Sequence, residues 1–274
     1  MRVCILVRKH IPWHDTGLLN LEINKDHGQA HREFREKTGI DFRTLRDLIT
    51  RKSLTHNSGV AAKTKCLFTI FSTTCLSPKP ISDSDIGEII DAEYDVIIPI
   101  DDDDFICPEI IEVIKNIPMA RLKSVNYLTW NSLEYNYVTG YSYIGRFIKP
   151  EDSPFGGIED LILPTSYAII VTNKDKTQNN IQEIKDKINI FTVTDKIKRS
   201  MAYGHTLDFY GIGALKTCHL ASEYYLTSND AVSHLNERPK IQCANECIKK
   251  ITDDVFNTIQ DGEKLSKICH PNNP

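Results

Sequence analysis

The sequence has no run approaching the roughly 20 apolar residues that a membrane-spanning helix needs. Its first apolar run, residues 3–7, stops at Arg8 and Lys9 and is shorter than a signal-peptide core. The expectation is a soluble, unexported chain in the cytoplasm. A large excess of one charge is also missing: 33 Lys and Arg stand against 37 Asp and Glu, a formal net charge of −4. That excludes a strongly basic nucleic-acid binder and leaves room only for a local basic groove. There is no glycine-rich phosphate loop, since Gly28 and Gly39 stand alone, so a P-loop nucleotide site is excluded. Internal repeats and long low-complexity segments are absent as well.

What is present is a globular composition, 41% hydrophobic and 26% charged. A chain of 274 residues fits one large domain that buries most of its unfolded surface without covalent staples. The eight cysteines, with no export signal, read as free thiols in a reducing compartment. Cys243 and Cys247, with Cys269 and His270, invite a zinc site, but a second well-spaced cysteine pair is missing. The alternative is a pair of thiols that merely share a helix.

Hydrophobic periodicity gives the organisation. Residues 2–7 read as a buried strand, and 29–37 and 42–51 as charged surface helices. Residues 55–61 read as a loop and 65–73 as a β-branched strand. A capped helix is expected over 82–90. The unbroken apolar run YDVIIPI at 94–100 has the pattern of a strand covered on both faces. Pro108 then opens a helix at the position where a missing N–H does no harm. This alternation predicts an α/β fold with a mixed, mostly parallel central sheet flanked by helices. After residue 124 the pattern changes to tyrosine-rich strands at 125–128, 135–138 and 141–147, with another at 165–172. A helix is expected at 180–189, an irregular aromatic stretch at 200–226 and a helical tail at 241–268.

The most informative feature is Asp101-Asp102-Asp103-Asp104, directly after the buried strand. In open α/β sheets ligands bind at the carboxyl ends of the strands. Four carboxylates there repel one another unless a cation or hydrogen-bond donors offset the charge. Mg²⁺ or Mn²⁺ would select such oxygen ligands and bridge to a diphosphate. The alternative is an acidic turn that also caps the next helix.

The string YDVIIPIDDDDFICPEII resembles the DXD segment of GT-A glycosyltransferases, in which a hydrophobic strand runs into Asp-x-Asp-Asp, two apolar residues, one variable residue and Pro. The resemblance implies a single GT-A-like domain over residues 1–274, with a helical insertion near the N-terminus. Residues 1–123 would form the nucleotide-sugar half and 124–274 the acceptor side. It implies transfer of a sugar from a UDP- or dTDP-linked donor to an acceptor hydroxyl, on a glycan or a modified DNA base. Asp101 would lie near the donor's ribose or sugar, Asp102 is the variable position, Asp103 would be the principal ligand of Mn²⁺ or Mg²⁺, and Asp104 would support the site. A register one residue later, Asp102 and Asp104, also makes a DXD. Arg8 and Lys9, just past the first strand, would face the diphosphate or the base. Common family 2 sequences follow that strand with Pro-x-Tyr-Asn; here VRKHIPWHDTGLL stands instead, closer to rhamnosyltransferase-like GT-A proteins.

The same resemblance points to Glu159 or Asp160, after Gly156-Gly157, as the base that takes the acceptor proton. A late histidine, His205 or His234, would complete the metal shell, and Arg238 would offset diphosphate charge from a lid segment. His219 lies in an apolar run and reads as a core histidine. Trp13, Trp130 and the tyrosines of 127–143 could stack on a sugar or fill strand core. Two further classes stay open: a non-catalytic cation- or nucleotide-binding module, and a metal-dependent nucleotidyltransferase.

Overall fold

The computed structural model describes residues 1–11, 36, 39–40, 42–74, 87–88, 94–136, 140–144, 166–171, 206–218 and 240–257. Strand β1 (Val3–Ile11) leads to helix α1 (Phe42–Thr64) and strand β2 (Leu67–Thr74). Strands β3 (Val96–Asp101) and β4 (Phe105–Ile106) follow, then helices α2 (Pro108–Lys115) and α3 (Met119–Leu122). The remaining strands are β5 (Tyr127–Asn136), β6 (Gly140–Ile144), β7 (Tyr167–Ile170), β8 (Thr206–Cys218) and β9 (Lys240–Ile241), and helix α4 (Glu246–Thr252) ends in a π-helical turn, Asp253–Asn257. None of the described helices is long and apolar enough to cross a membrane.

The strands form one sheet in the order β2-β1-β3-β7-β5-β6-β9, with β8 paired to both β4 and β5. β1 lies between β2 and β3 and is parallel to both. The chain therefore crosses to one side of β1, returns, and continues on the other side; in open α/β sheets such a reversal marks the strand ends where ligands bind. The sheet is mixed as expected, yet among the described strands antiparallel pairings outnumber parallel ones, five to three. The parallel character is confined to β2-β1-β3 and the β5-β8 pair. A tight hairpin such as β5-β6, with three residues between the strands, can only be antiparallel.

The core on one face of the sheet joins Val3, Ile5 and Val7 of β1 with Val96, Ile98 and Ile100 of β3. Val60 and Ala61 of α1 and Ile110, Ile111 and Ile114 of α2 cover them. In β1, Cys4 and Leu6, which alternate with these residues, are also fully buried. Both surfaces of the strand are thus covered, as its unbroken apolar run predicts. α2 begins at Pro108, carries Glu109 in its first turn and Lys115 in its last, and so complements its own dipole.

Helix α1 corrects the sequence reading. Residues 42–51 were expected on the surface and 55–61 in a loop, but one 23-residue helix spans both. Leu45, Leu48, Ile49, Val60 and Ala61 are buried, so burial along its length outweighs the weak helix propensity of Ser58-Gly59. The segment expected to be a charged insertion thus contributes to the core from Ile40 on. The helix ends in a Schellman motif: Cys66 N–H bonds Ala61 carbonyl at 2.8 Å, Lys65 N–H bonds Ala62 carbonyl at 3.2 Å, and Lys65 takes the left-handed conformation, φ 53°. The Lys115 ammonium donates to the Thr64 carbonyl and so caps the same end.

Two more corrections concern strands. β5 is continuous over the expected break between residues 128 and 135, because Trp130 and Leu133 are fully buried. The stretch at 206–218, expected to be irregular, is β8. Its register on β5 shifts around Asn131, where β8 carries extra residues near Gly211 and Gly213. Gly213 lies directly against the Trp130 indole: an added Cβ would sit 2.5 Å from its Cδ1. The helices expected over 29–37, 82–90 and 180–189 fall mainly or wholly outside the described residues, as does the end of the helical tail.

Gly213→Ala is expected to destabilise the protein by about 1–3 kcal/mol, since a buried indole in a sheet has little room to move. Chemical denaturation of the variant against wild type checks this; an unchanged midpoint would show that β8 adjusts freely.

Candidate functional site

β3 ends at the four aspartates. Residues 101–104 form a β-turn closed by a 3.1 Å hydrogen bond from Asp104 N–H to the Asp101 carbonyl. Asp102 N–H bonds the Arg8 carbonyl at 3.1 Å, so the β1-β3 ladder runs into the turn. All four aspartates are buried, Asp102 and Asp104 completely, while Asp103 retains 9% exposure.

Burying carboxylates this close together needs opposite charge, and three elements bring it. From β1, Arg8 donates through Nε at 2.7 Å and through its terminal NH2 at 2.6 Å to Asp101 Oδ1. From α1, Arg46 reaches Asp102 Oδ1 at 3.0 Å and Asp103 Oδ2 at 3.5 Å. From β8, Lys216 Nζ lies 3.1 Å from Asp104 Oδ2 and 3.4 Å from Asp101 Oδ2. Burial works against the charge of Lys216, but the carboxylates of Asp104, Asp101 and Asp103 outweigh it, so its ammonium holds its proton more tightly than an ordinary lysine. Burial likewise opposes the Arg8 charge, and Asp101 more than restores it.

The backbone of the turn is held as firmly. Ser53 Oγ and Asn57 Nδ2 donate to the Asp104 carbonyl at 2.6 and 2.9 Å, and Asn57 Oδ1 accepts from Ile106 N–H at 3.0 Å. Thr217 donates its N–H to Asp104 Oδ1 at 3.0 Å and its hydroxyl to the Asp103 carbonyl at 2.7 Å. Arg46, Ser53 and Asn57 are seven and four residues apart, so one face of α1 meets the turn.

Of the residues singled out in the sequence, the structure brings Arg8 and residues 101–104 together. Asp101 is shared by Arg8 and Lys216. Asp102 is sealed against Arg46. Asp104 has a donor on each carboxylate oxygen and anchors the turn. Asp103 is the least buried, and its contact to Arg46 is the longer of that side chain's two. Lys9, next to Arg8, is exposed. Glu159, Asp160, His205, His234, Arg238, His219, Trp13, Cys269 and His270 lie outside the described residues. Trp130 is fully buried core and does not present a stacking face. Sequence reading missed Arg46, Ser53, Asn57, Lys216 and Thr217; the polar repeat at helical spacing in α1 was the available signal for the first three.

The opposite face of α1 lines a groove of about 860 Å³, shared with the α4 region. Arg51, Lys52, Lys63 and Lys250 make it basic, and His56, Cys247 and Asp254 share its walls. His56 Nε2 lies 2.9 Å from the Ile106 carbonyl, which can only accept, so Nε2 carries the proton. Its ring meets Phe105 edge-on at 5.6 Å. Burial lowers the His56 pKa despite the opposing pull of the Ile106 carbonyl, Asp254 and Glu109.

Two outcomes are expected. Arg46→Met leaves Asp102 buried without its guanidinium and should cost about 3–5 kcal/mol, read by denaturant unfolding. For His56, a lowered folded pKa means that folding favours the neutral ring. Its contribution is complete above the ordinary histidine value of 6.5 and is lost as pH falls through the folded value. His56→Gln, which can still donate to Ile106, should therefore flatten the decline of thermal stability below about pH 6.5.

No family model and no curated protein matches this chain.

Proposed function

We propose that this chain is a metal-dependent glycosyltransferase that moves a sugar from a nucleotide-sugar donor to an acceptor hydroxyl. The observation that carries the reading is the acidic turn of residues 101–104 at the carboxyl end of β3, beside Arg8 at the end of the parallel neighbour β1. That is the crevice where an α/β sheet binds ligands. The DXD resemblance supplies the chemistry.

By resemblance the ion would be a hard divalent cation, Mn²⁺ or Mg²⁺. The turn offers oxygen ligands alone, and Asp103 is the carboxylate closest to solvent. When bound, the metal supplies charge stabilisation to the leaving nucleoside diphosphate. Arg8 and Lys216 hold the Asp101 carboxylate between them, and by resemblance Asp101 would face the donor's ribose or sugar. Asp102 and Asp104 keep the turn rigid, so that Asp103 is presented without reorganisation. By resemblance, a UDP- or dTDP-linked sugar is the donor and a glycan the acceptor, with a modified DNA base as the less favoured acceptor. Glu159 or Asp160 would take the acceptor proton, His205 or His234 would join the metal shell, and Lys9 and Arg238 would meet the diphosphate. The free thiols among the described residues accord with a cytoplasmic setting.

One observation favours a second reading, a non-catalytic nucleotide- or cation-binding module: Arg8, Arg46 and Lys216 already balance much of the acidic charge. A nucleotidyltransferase has no comparable support here.

A screen of nucleotide sugars with Mn²⁺, read as donor hydrolysis or transfer, separates the two. Turnover is expected in wild type, and Asp103→Asn should abolish it while the protein stays folded, because Asp103 is the most exposed of the four and asparagine keeps its shape. Binding without turnover in wild type would favour the module. Full turnover in Asp103→Asn would overturn the glycosyltransferase reading.

A further inference from the structure

Three residues past the acidic turn the chain presents a second, chemically different cluster. Cys107 stands at the N-cap of α2 with extended backbone, φ −81° and ψ 132°, and no side-chain capping bond. Glu109 lies in the first turn of the same helix. Cys247 comes from α4, 140 positions along the chain (247 − 107). The two sulfurs and a carboxylate oxygen of Glu109 lie within 4.8 Å of one another. We propose that Cys107, Cys247 and Glu109 form a binding site for a borderline-soft divalent cation, with Zn²⁺ the ion that this ligand set selects.

The ligand chemistry argues for it. Thiolate with carboxylate suits Zn²⁺, whose bonds to sulfur are about 2.3 Å and to carboxylate oxygen about 2.0–2.2 Å. Three ligand atoms within 4.8 Å of one another need only a small contraction to meet such an ion. Mg²⁺ and Ca²⁺ avoid sulfur, so this cluster and the all-oxygen turn select different metals. Each ligating thiol gives up its proton to solvent as it binds.

The setting argues for it as well. Cys107 is buried, Cys247 is half-buried and Glu109 is exposed. Cys247 also lines the 860 Å³ groove, which supplies an access path. Lys250 and Lys63 add positive charge near Cys247. By contrast Cys4, isolated in the sheet core, is pushed up to about 12 by burial and is no ligand. Cys243 packs into the same apolar cluster as Cys107, lies ahead of α4 rather than on it, and is outside the three-atom set. Of the two cysteines that raised a zinc site in the sequence, Cys247 belongs to the set and Cys243 does not, and Cys107 joins Cys247 from a distant element.

Metal here would tie α4 to the start of α2, and through Cys107 to β4 and the acidic turn. The test is titration of the full-length, reduced, metal-free chain with Zn²⁺ against a chromogenic chelator, and separately with Co²⁺. One equivalent of Zn²⁺ is expected, with a thiolate-to-cobalt charge-transfer band and a higher thermal midpoint on binding. Cys247→Ser should remove the band. Glu109→Gln, at an exposed position that cannot disturb the core, should weaken Zn²⁺ by more than the roughly 10-fold that loss of an outer-shell partner costs. Unchanged Zn²⁺ affinity in either variant, or Co²⁺ bound without a thiolate band, would overturn the site. So would failure to take up Zn²⁺ while air oxidation removes two hydrogens from the Cys107–Cys247 pair, which would make it a redox couple.

Discussion

Four adjacent carboxylates cannot be buried at the end of a strand unless positive charge and hydrogen-bond donors come to them, and this requirement organises the structure. The repulsion among residues 101–104 is met by Arg8, Arg46 and Lys216, which reach the turn from three different elements. β1 brings Arg8 because it is the parallel neighbour of β3, in register Arg8 with Asp101. β8 brings Lys216 and Thr217 because it pairs with β4 just beyond the turn. α1 brings Arg46, Ser53 and Asn57 along one face. Ion pairs this deep return little more than the desolvation they cost. Their contribution is to specify one arrangement: misplacing any of these elements would leave a buried charge uncompensated.

The parts of this arrangement that depend on neighbouring residues were legible in the sequence. The apolar run ending in four aspartates announced both the buried strand and the cluster at its carboxyl end. Pro108 announced α2, and β2 and β7 stood out by their β-branched content. What depends on distant partners was not legible. Arg46 and Asp102 are 56 positions apart, and Lys216 and Asp104 are 112 apart, so no local pattern ties either pair together. α1 was misread for the same reason. Ser53, Asn57, Ser58 and Gly59 look like a loop in isolation, and only the Asp104 carbonyl and the Ile106 N–H show why Ser53 and Asn57 are there. β8 was missed because Gly211 and Gly213 lower its strand propensity; Gly213 is needed where Trp130 leaves no room for a Cβ.

α1 also separates two environments. One face carries Arg46, Ser53 and Asn57 to an all-oxygen acidic turn. The other carries Arg51, Lys52 and Lys63 to a groove whose wall includes a thiol. The helix is therefore amphipathic in an unusual sense: both faces are polar in part, and its apolar residues lie between them and along its ends. That explains why its charged composition suggested a surface helix although much of it is buried.

The connection between the two environments is short. Asp104, Phe105, Ile106 and Cys107 follow one another, and each is fixed from both sides. Asp104 is held by Lys216 and Thr217 on one side and by Ser53 and Asn57 on the other. Ile106 receives Asn57 at its N–H and His56 at its carbonyl, and Cys107 N–H bonds the Gly213 carbonyl at 2.8 Å. The segment is tied to α1 through Asn57 and His56 and to β8 through Gly213 and Thr217. His56 belongs to this chain of contacts through its carbonyl partner, and protonating its ring adds a charge beside a backbone group two residues from the acidic turn.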